Sequence, residues 1–249
     1  MPNIDQIHYQ RSAVQPVECL KAGWNLVRSQ YWLYFGMCIV GLLIGSAVPM
    51  GILMGPMMCG LFLAFFSARR GQPIEFGTLF KGFDFFGPSV IAALLHTLPI
   101  MAIVVPVYIL FYLGFFVTIA VQGNDPNPGA FLGFILIMVV VWLAVMLAVM
   151  VISIAFMFAY PLIVDRGLPG FDAVKLSFKA AMANFWGLLG LLLLGGLLSV
   201  AGLFALFIGV YLVIPITYAA TAAAYEQVFG LRRPSEPLTD LPPAPPTFN

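Results

Sequence analysis

Long apolar stretches alternate with short polar breaks along this chain, and that alternation limits what it can fold into. Six stretches are almost free of charge: residues 31–48, 52–68, 88–121, 130–160, 185–200 and 204–225. At a rise of 1.5 Å per helical residue the first stretch reaches across the roughly 30 Å hydrocarbon core of a bilayer, and the third and fourth are longer than it needs, an excess that tilt or protrusion must absorb. Only 8% of the 249 residues are charged, against about 25% in an ordinary soluble domain. Water would not dissolve such a chain. The predicted fold class is an all-α membrane protein with six transmembrane helices. A net charge of +1 gives no basis for a nucleic-acid partner.

The cations set an orientation. In the six-span reading all eleven Lys and Arg residues fall on one side: Arg11, Lys21, Arg28, Arg69, Arg70, Lys81, Arg166, Lys175, Lys179, Arg232 and Arg233. The other side carries only Asp125. The positive-inside rule then predicts a multi-pass protein of the bacterial cytoplasmic (inner) membrane with both termini in the cytoplasm. No short apolar run followed by a small-residue cleavage site occurs in the first thirty residues, so the first span is expected to direct insertion itself.

Three of the polar breaks are themselves amphipathic at helical spacing. In residues 14–30, Val17, Leu20, Trp24, Val27 and Tyr31 form one stripe and Glu18, Lys21, Asn25 and Arg28 its neighbour. In residues 75–87, Phe76, Leu79, Phe80, Phe83 and Phe86 oppose Thr78, Lys81 and Asp84. In residues 171–184, Phe171, Val174, Phe178 and Met182, continued by Phe185, oppose Asp172, Lys175 and Lys179. Each is expected to be an interfacial helix lying in the membrane surface with its apolar side down.

These segments introduce a weak internal repeat. VECLKAGWNLVRSQYWLYFG, from Val17, aligns with FDAVKLSFKAAMANFWGLLG, from Phe171. Glu18 matches Asp172, Lys21 matches Lys175, Trp24 matches Phe178, Tyr31 matches Phe185, Trp32 matches Trp186 and Gly36 matches Gly190. Arg70-Gly71-x-Pro73 echoes Arg166-Gly167-x-Pro169, and Pro56 precedes Gly71 at the spacing by which Pro215 precedes Gly230. Each unit reads as a cytoplasmic surface helix followed by a hairpin of two spans. Two spans return the chain to its starting side, so the three units are parallel rather than inverted. The expected organisation is a flexible N-terminus (1–13), a six-helix domain (14–230, in units 14–71, 72–166 and 167–230) and a disordered Pro-rich cytoplasmic tail (231–249).

The unit pattern, RRGQP (69–73), LFKGF (79–83), and PLIVDRG (161–167) leading into FDAVKLSF resemble the membrane domain found beside glycerophosphodiester phosphodiesterases, and related bacterial six-span proteins of unknown function. The resemblance covers most of residues 14–230. The phosphodiesterase catalytic domain has no counterpart here, so the resemblance implies a fold and an accessory role rather than catalysis.

Few residues suggest chemistry. His96 is the one clear ionisable residue within a span, one turn before Pro99, and Pro106 follows in the same stretch. Proline inside a helix removes a hydrogen bond and clashes with the preceding turn, which predicts a kinked or broken third span. An intramembrane histidine is a functional position by default. It can equally be a structural one, bonded to Ser89, Thr97 or a carbonyl freed by Pro99. Lys21, Lys81 and Lys175 recur in the surface helices as headgroup contacts or as ordinary snorkelling lysines. Gly41, Gly45, Gly51, Gly55, Ala219 and Ala223 suit close helix packing. Glu226, at the end of the sixth stretch, reads as a solvated carboxylate. Cys19, Cys38 and Cys59 are scattered and odd in number, which predicts small buried hydrophobes rather than a disulfide or metal site. No HExxH, GxSxG or phosphate-binding glycine loop occurs.

The expectation is therefore a non-enzymatic protein without metal or cofactor, whose partners are membrane lipids and other membrane proteins. Its role would be accessory, scaffolding or lipid-organising. A small transporter or channel for a hydrophobic solute, and a subunit of a larger membrane complex, are the alternatives.

Overall fold

A computed structural model describes residues 7–48, 51–122, 128–204 and 208–231. Among these residues every regular element is helical. The turn at 49–50, Asp125 with the rest of the 123–127 loop, and the tail with Arg232 and Arg233 lie outside them. The helices are α1 (Pro16–Val27), α2 (Tyr31–Ser46), α3 (Met54–Arg69), a 3-10 helix (Phe76–Phe85), α4 (Phe86–Gln122), α5 (Pro128–Phe156), α6 (Ala159–Arg166), α7 (Gly170–Ala183), α8 (Phe185–Phe204) and α9 (Ile208–Phe229). Four stretches among the described residues are long and apolar enough to cross a membrane: Pro16–Ser46, Phe76–Val121, Pro128–Arg166 and Phe185–Phe204. Met54–Arg69 is a shorter apolar helix. Long helices of this composition mark a membrane protein.

The chain divides into two compact units. One, called here the body, comprises Met1–Leu95 and Ile154–Asn249; the other, His96–Ser153, is a helix pair. In the helix pair the two strands of helix are held by rings. Tyr108 meets Trp142 edge-on at 5.1 Å, Phe111 meets Phe134 at 6.0 Å and Phe115 meets Phe131 at 6.3 Å.

In the body the three surface elements follow one rule. The 3-10 helix packs on α3, the last long helix before it, and α7 packs on α6, the helix before it. The first described helix, α1, packs on α9, the last described one, and so closes the circuit. The contacts come down to backbone. A Cβ on Gly82 would lie 2.0 Å from Pro56 O, and one on Gly60 would lie 1.8 Å from Leu79 O. A Cβ on Gly23 of α1 would lie 2.6 Å from Ala220 N of α9. In α7 the small residue is Ser177, whose Oγ donates to Ala155 O (2.7 Å) and accepts from Phe158 N (3.1 Å). That hydroxyl sits in the break between α5 and α6. Pro161, which brings no N–H to the helix, lies just beyond it. The expected fourth span is thus two helices in sequence.

Positions that repeat in the sequence share their burial. Cys19, Gly23 and Val27 of α1 are buried, as are Ala173, Ser177 and Ala181 at the matching places of α7. Trp24 and Phe178 are exposed, and so are Trp32 (73%) and Trp186 (80%). Val17, Trp24, Phe171 and Phe178 of the expected stripes therefore do not fasten these helices to the protein; Cys19, Gly23 and Val27 of α1 and Ala173, Leu176, Ser177 and Ala181 of α7 do.

Three expectations need correction. Residues 76–85 form a 3-10 helix, not an α-helix, and its buried side is Leu79 and Gly82, three residues apart. Phe76, Phe80, Phe83 and Phe86 are exposed. Helix α4 runs unbroken through Pro99 and Pro106. Gly51 is a turn residue with φ +67°, where a side chain is strained, rather than a packing position. The other packing residues meet neighbours: Gly41 faces Leu79 and Met57, Gly45 faces Met54, and Gly55 faces Ser89, while Ala219 and Ala223 are buried.

Part of the segment expected to be flexible carries hydrogen bonds. Gln10 N donates to Val228 O (2.9 Å) and Ala13 N to Asn184 Oδ1 (2.8 Å). Asn184 Nδ2 in turn donates to Gln10 O (2.8 Å). The segment thus joins the ends of α7 and α9 before entering α1.

Candidate functional site

Helices α3, α6 and α9 each terminate at a left-handed glycine: Gly71 (φ +70°), Gly167 (φ +65°) and Gly230 (φ +66°). Such a residue satisfies the last carbonyls of a helix while turning the chain sharply. Just inside these caps the helices meet through buried rings. Tyr225 lies 5.4 Å from Phe66 and 6.2 Å from Phe158, and Leu162 is fully buried.

An ion-pair knot sits at this junction. The Asp165 side chain has no solvent exposure. Its Oδ1 accepts from Arg70 Nη2 at 2.8 Å, and its Oδ2 accepts from the Tyr225 hydroxyl at 2.9 Å with Arg166 Nε 3.2 Å away. The Arg166 guanidinium also donates to Phe229 O (2.9 Å) and Gly230 O (3.1 Å). One carboxylate and two guanidinium groups therefore tie the ends of three helices together. A second pair, Arg69 with Glu226 at 3.0 Å, lies beside it between α3 and α9. Glu226 is thus partnered and only 21% exposed, not the solvated carboxylate expected. Burial pushes its carboxyl above the usual carboxylate range, against the pull of Arg69. Ion pairs desolvated to this degree contribute little net stability when intact, but removing one partner strands a charge in a poor solvent.

Around the knot the surface elements expose two kinds of edge. On α7, Phe171 and Phe178 are exposed on one line, and Lys175 and Lys179 on another. On α1, Val17 and Trp24 are exposed beside Glu18, Lys21 and Asn25. Lys21 Nζ is paired with Glu18 Oε1 at 2.9 Å. Lys81 is exposed on the 3-10 helix among its phenylalanines. Each of these elements thus has a face against protein, an exposed apolar edge and an exposed charged edge.

The remaining expected positions lie elsewhere. His96 is half-buried on α4. The Ser89 hydroxyl, considered as its partner, donates instead to Phe86 O at 3.0 Å. Cys19, Cys38 and Cys59 are all free and buried, as expected. Among the described residues no three His, Cys, Asp or Glu side chains are placed to hold a metal ion. A narrow, almost wholly apolar crevice lies among Met37, Cys38, Gly41, Met57, Leu79 and Tyr218.

The knot was not singled out in the sequence, where Asp165 and Arg166 read as a polar break. The signal for it was the recurrence of Arg-Gly at 70–71 and 166–167, now seen as matching helix ends. The chain matches no protein-family model, no curated protein and no solved structure.

Proposed function

We propose that this chain is a six-span, non-enzymatic protein of the bacterial inner membrane that organises the lipid around it, with both termini and its three surface elements on the cytoplasmic side. The spans are α2, α3, α4, α5 with the first turn of α6, α8, and α9 as far as Tyr225, arranged as three parallel hairpins. The observation that carries the reading is the three-sided surface element. Each packs closely on the bundle and presents an apolar edge next to a charged one, which suits the boundary between acyl chains and headgroups. The one-sided distribution of the cations supports the orientation. The resemblance to phosphodiesterase membrane domains supports an accessory role.

Helix length supports an effect on the bilayer. α2 and α3 have 16 residues each, about 24 Å. α4 and α5 have 37 and 29, about 55 Å and 43 Å. A bilayer core of roughly 30 Å must thin to meet the first pair, and the second must tilt or protrude.

The test is reconstitution with spin-labelled lipid. The protein should immobilise a shell of lipid, and its thermal stability should peak in bilayers of shorter than average acyl chains. Solute flux through the same vesicles, abolished by substitution at His96, would overturn the reading in favour of a transporter. For topology, cysteines placed at Asp125 and Lys175 in a chain lacking the three native ones should be labelled from opposite sides; labelling from one side would refute six spans.

A further inference from the structure

We propose that the outer face of α7 is a binding site for the headgroups of anionic phospholipids. This rests on the membrane reading above and deepens it by naming the place and the lipid class.

The inner face of α7 is committed to protein through Ala173, Leu176, Ser177, Ala180 and Ala181. The outer face carries Lys175 and Lys179, both exposed and neither in an ion pair among the described residues. The N-terminal segment adds a third cation. Ser12 N donates to Ala183 O (3.3 Å) and the Asn184 amide holds Gln10 and Ala13, which fixes exposed Arg11 at the end of α7. Against these three stands one half-buried acid, Asp172.

The matching face of α1 shows that this balance is particular to α7. There Lys21 is neutralised by Glu18 at 2.9 Å. On the 3-10 helix, Lys81 is followed by exposed Asp84 and preceded by exposed Glu75. Among the described residues α7 with Arg11 gathers the largest group of exposed cations outside any ion pair, three against Arg28 alone beside α1 and Lys81 alone on the 3-10 helix. Beside the α7 cations Phe171 and Phe178 stand exposed at a seven-residue spacing, on one line of the helix. A free anion would satisfy the lysines and leave the rings in water. A phospholipid satisfies both, its phosphate meeting the cations and its chains the rings.

The full chain, reconstituted in mixed bilayers, is probed with spin-labelled phosphatidylglycerol and phosphatidylcholine. The wild type should immobilise the anionic probe preferentially. K175Q/K179Q should lower that preference about five- to tenfold, at roughly one kcal/mol per cation reduced by screening. K21Q should leave it unchanged, and F178S should weaken it with the charge intact. Equal loss in K21Q and K175Q/K179Q, or no loss in the latter, would overturn the proposal. Displacement of the probe by millimolar inorganic phosphate would show a bare anion site and overturn it as well. A protein that immobilises lipid without charge preference refutes this site alone. One that immobilises no lipid refutes the lipid-organising function.

Discussion

The body and the helix pair are made of similar residues under opposite rules. In the body, helices approach until backbone touches backbone, at Gly60 with Leu79, Gly82 with Pro56 and Gly23 with Ala220. The described Lys, Arg, Asp and Glu residues all lie there. In the helix pair none of the described residues is charged, and large side chains such as Leu110, Phe116, Val140, Leu143 and Met146 are more than half exposed. Volume decides in the first region because every void or clash is felt by close-packed neighbours. Polarity decides in the second, because its exposed apolar side chains suit hydrocarbon surroundings, where nearly any apolar shape will do.

The largest test of this contrast is Gly82→Val. Backbone atoms of Pro56 and Gly60 on α3 occupy the space a side chain would need, so the 3-10 helix must leave α3, and no monodisperse protein should survive extraction in detergent. Asp165→Ala comes next. It removes the carboxylate that pairs with Arg70 and Arg166 and should cost about 3–5 kcal/mol, read as a lower temperature for loss of monodispersity. Replacing Arg70 with Gln in the same chain should recover part of that loss; full additivity would mean the pair is not coupled.

Leu143 separates the two regions directly. Leu143→Ala should change stability little, whereas Leu162→Ala in the body should cost about 2–5 kcal/mol. Leu143→Lys, near the middle of α5, should oppose insertion by about 2.5–3.5 kcal/mol and reduce the membrane-inserted fraction. Equal effects of the two alanine substitutions would erase the contrast.

The smallest effect is expected at Glu226. Its carboxyl is raised despite Arg69, so the folded protein gains from its protonation, and that gain is lost as pH rises through the raised value. Glu226→Gln, which imitates the protonated form, should not lower stability and should flatten its fall with rising pH. A clear loss at neutral pH would show that the pair with Arg69 outweighs desolvation.

Much of the fold was written in the sequence, because hydropathy reports composition over a long window and errs little there. The positions of α4 and α8 and the matching of α1 with α7 follow from it. The inward faces of the surface helices did not, since Cys19, Gly23 and Ser177 add nothing to an apolar stripe; their value lies in being small. The 3-10 helix was read at the wrong period because its phenylalanines suit α-helical spacing, while its fixed points, Leu79 and Gly82, are three apart. The knot was hidden for another reason. Asp165 meets Arg70 across 95 residues and Tyr225 across 60, and no local pattern records such a meeting.

The circuit of surface elements on preceding helices has a consequence in time. As the chain emerges from the ribosome, the 3-10 helix and α7 each find their partner already made. The partner of α1 is α9, completed only at Phe229. While α2 to α8 are made, then, Gly23 of α1 stays bare, and among the described helices the seat of α1 is the last to be completed.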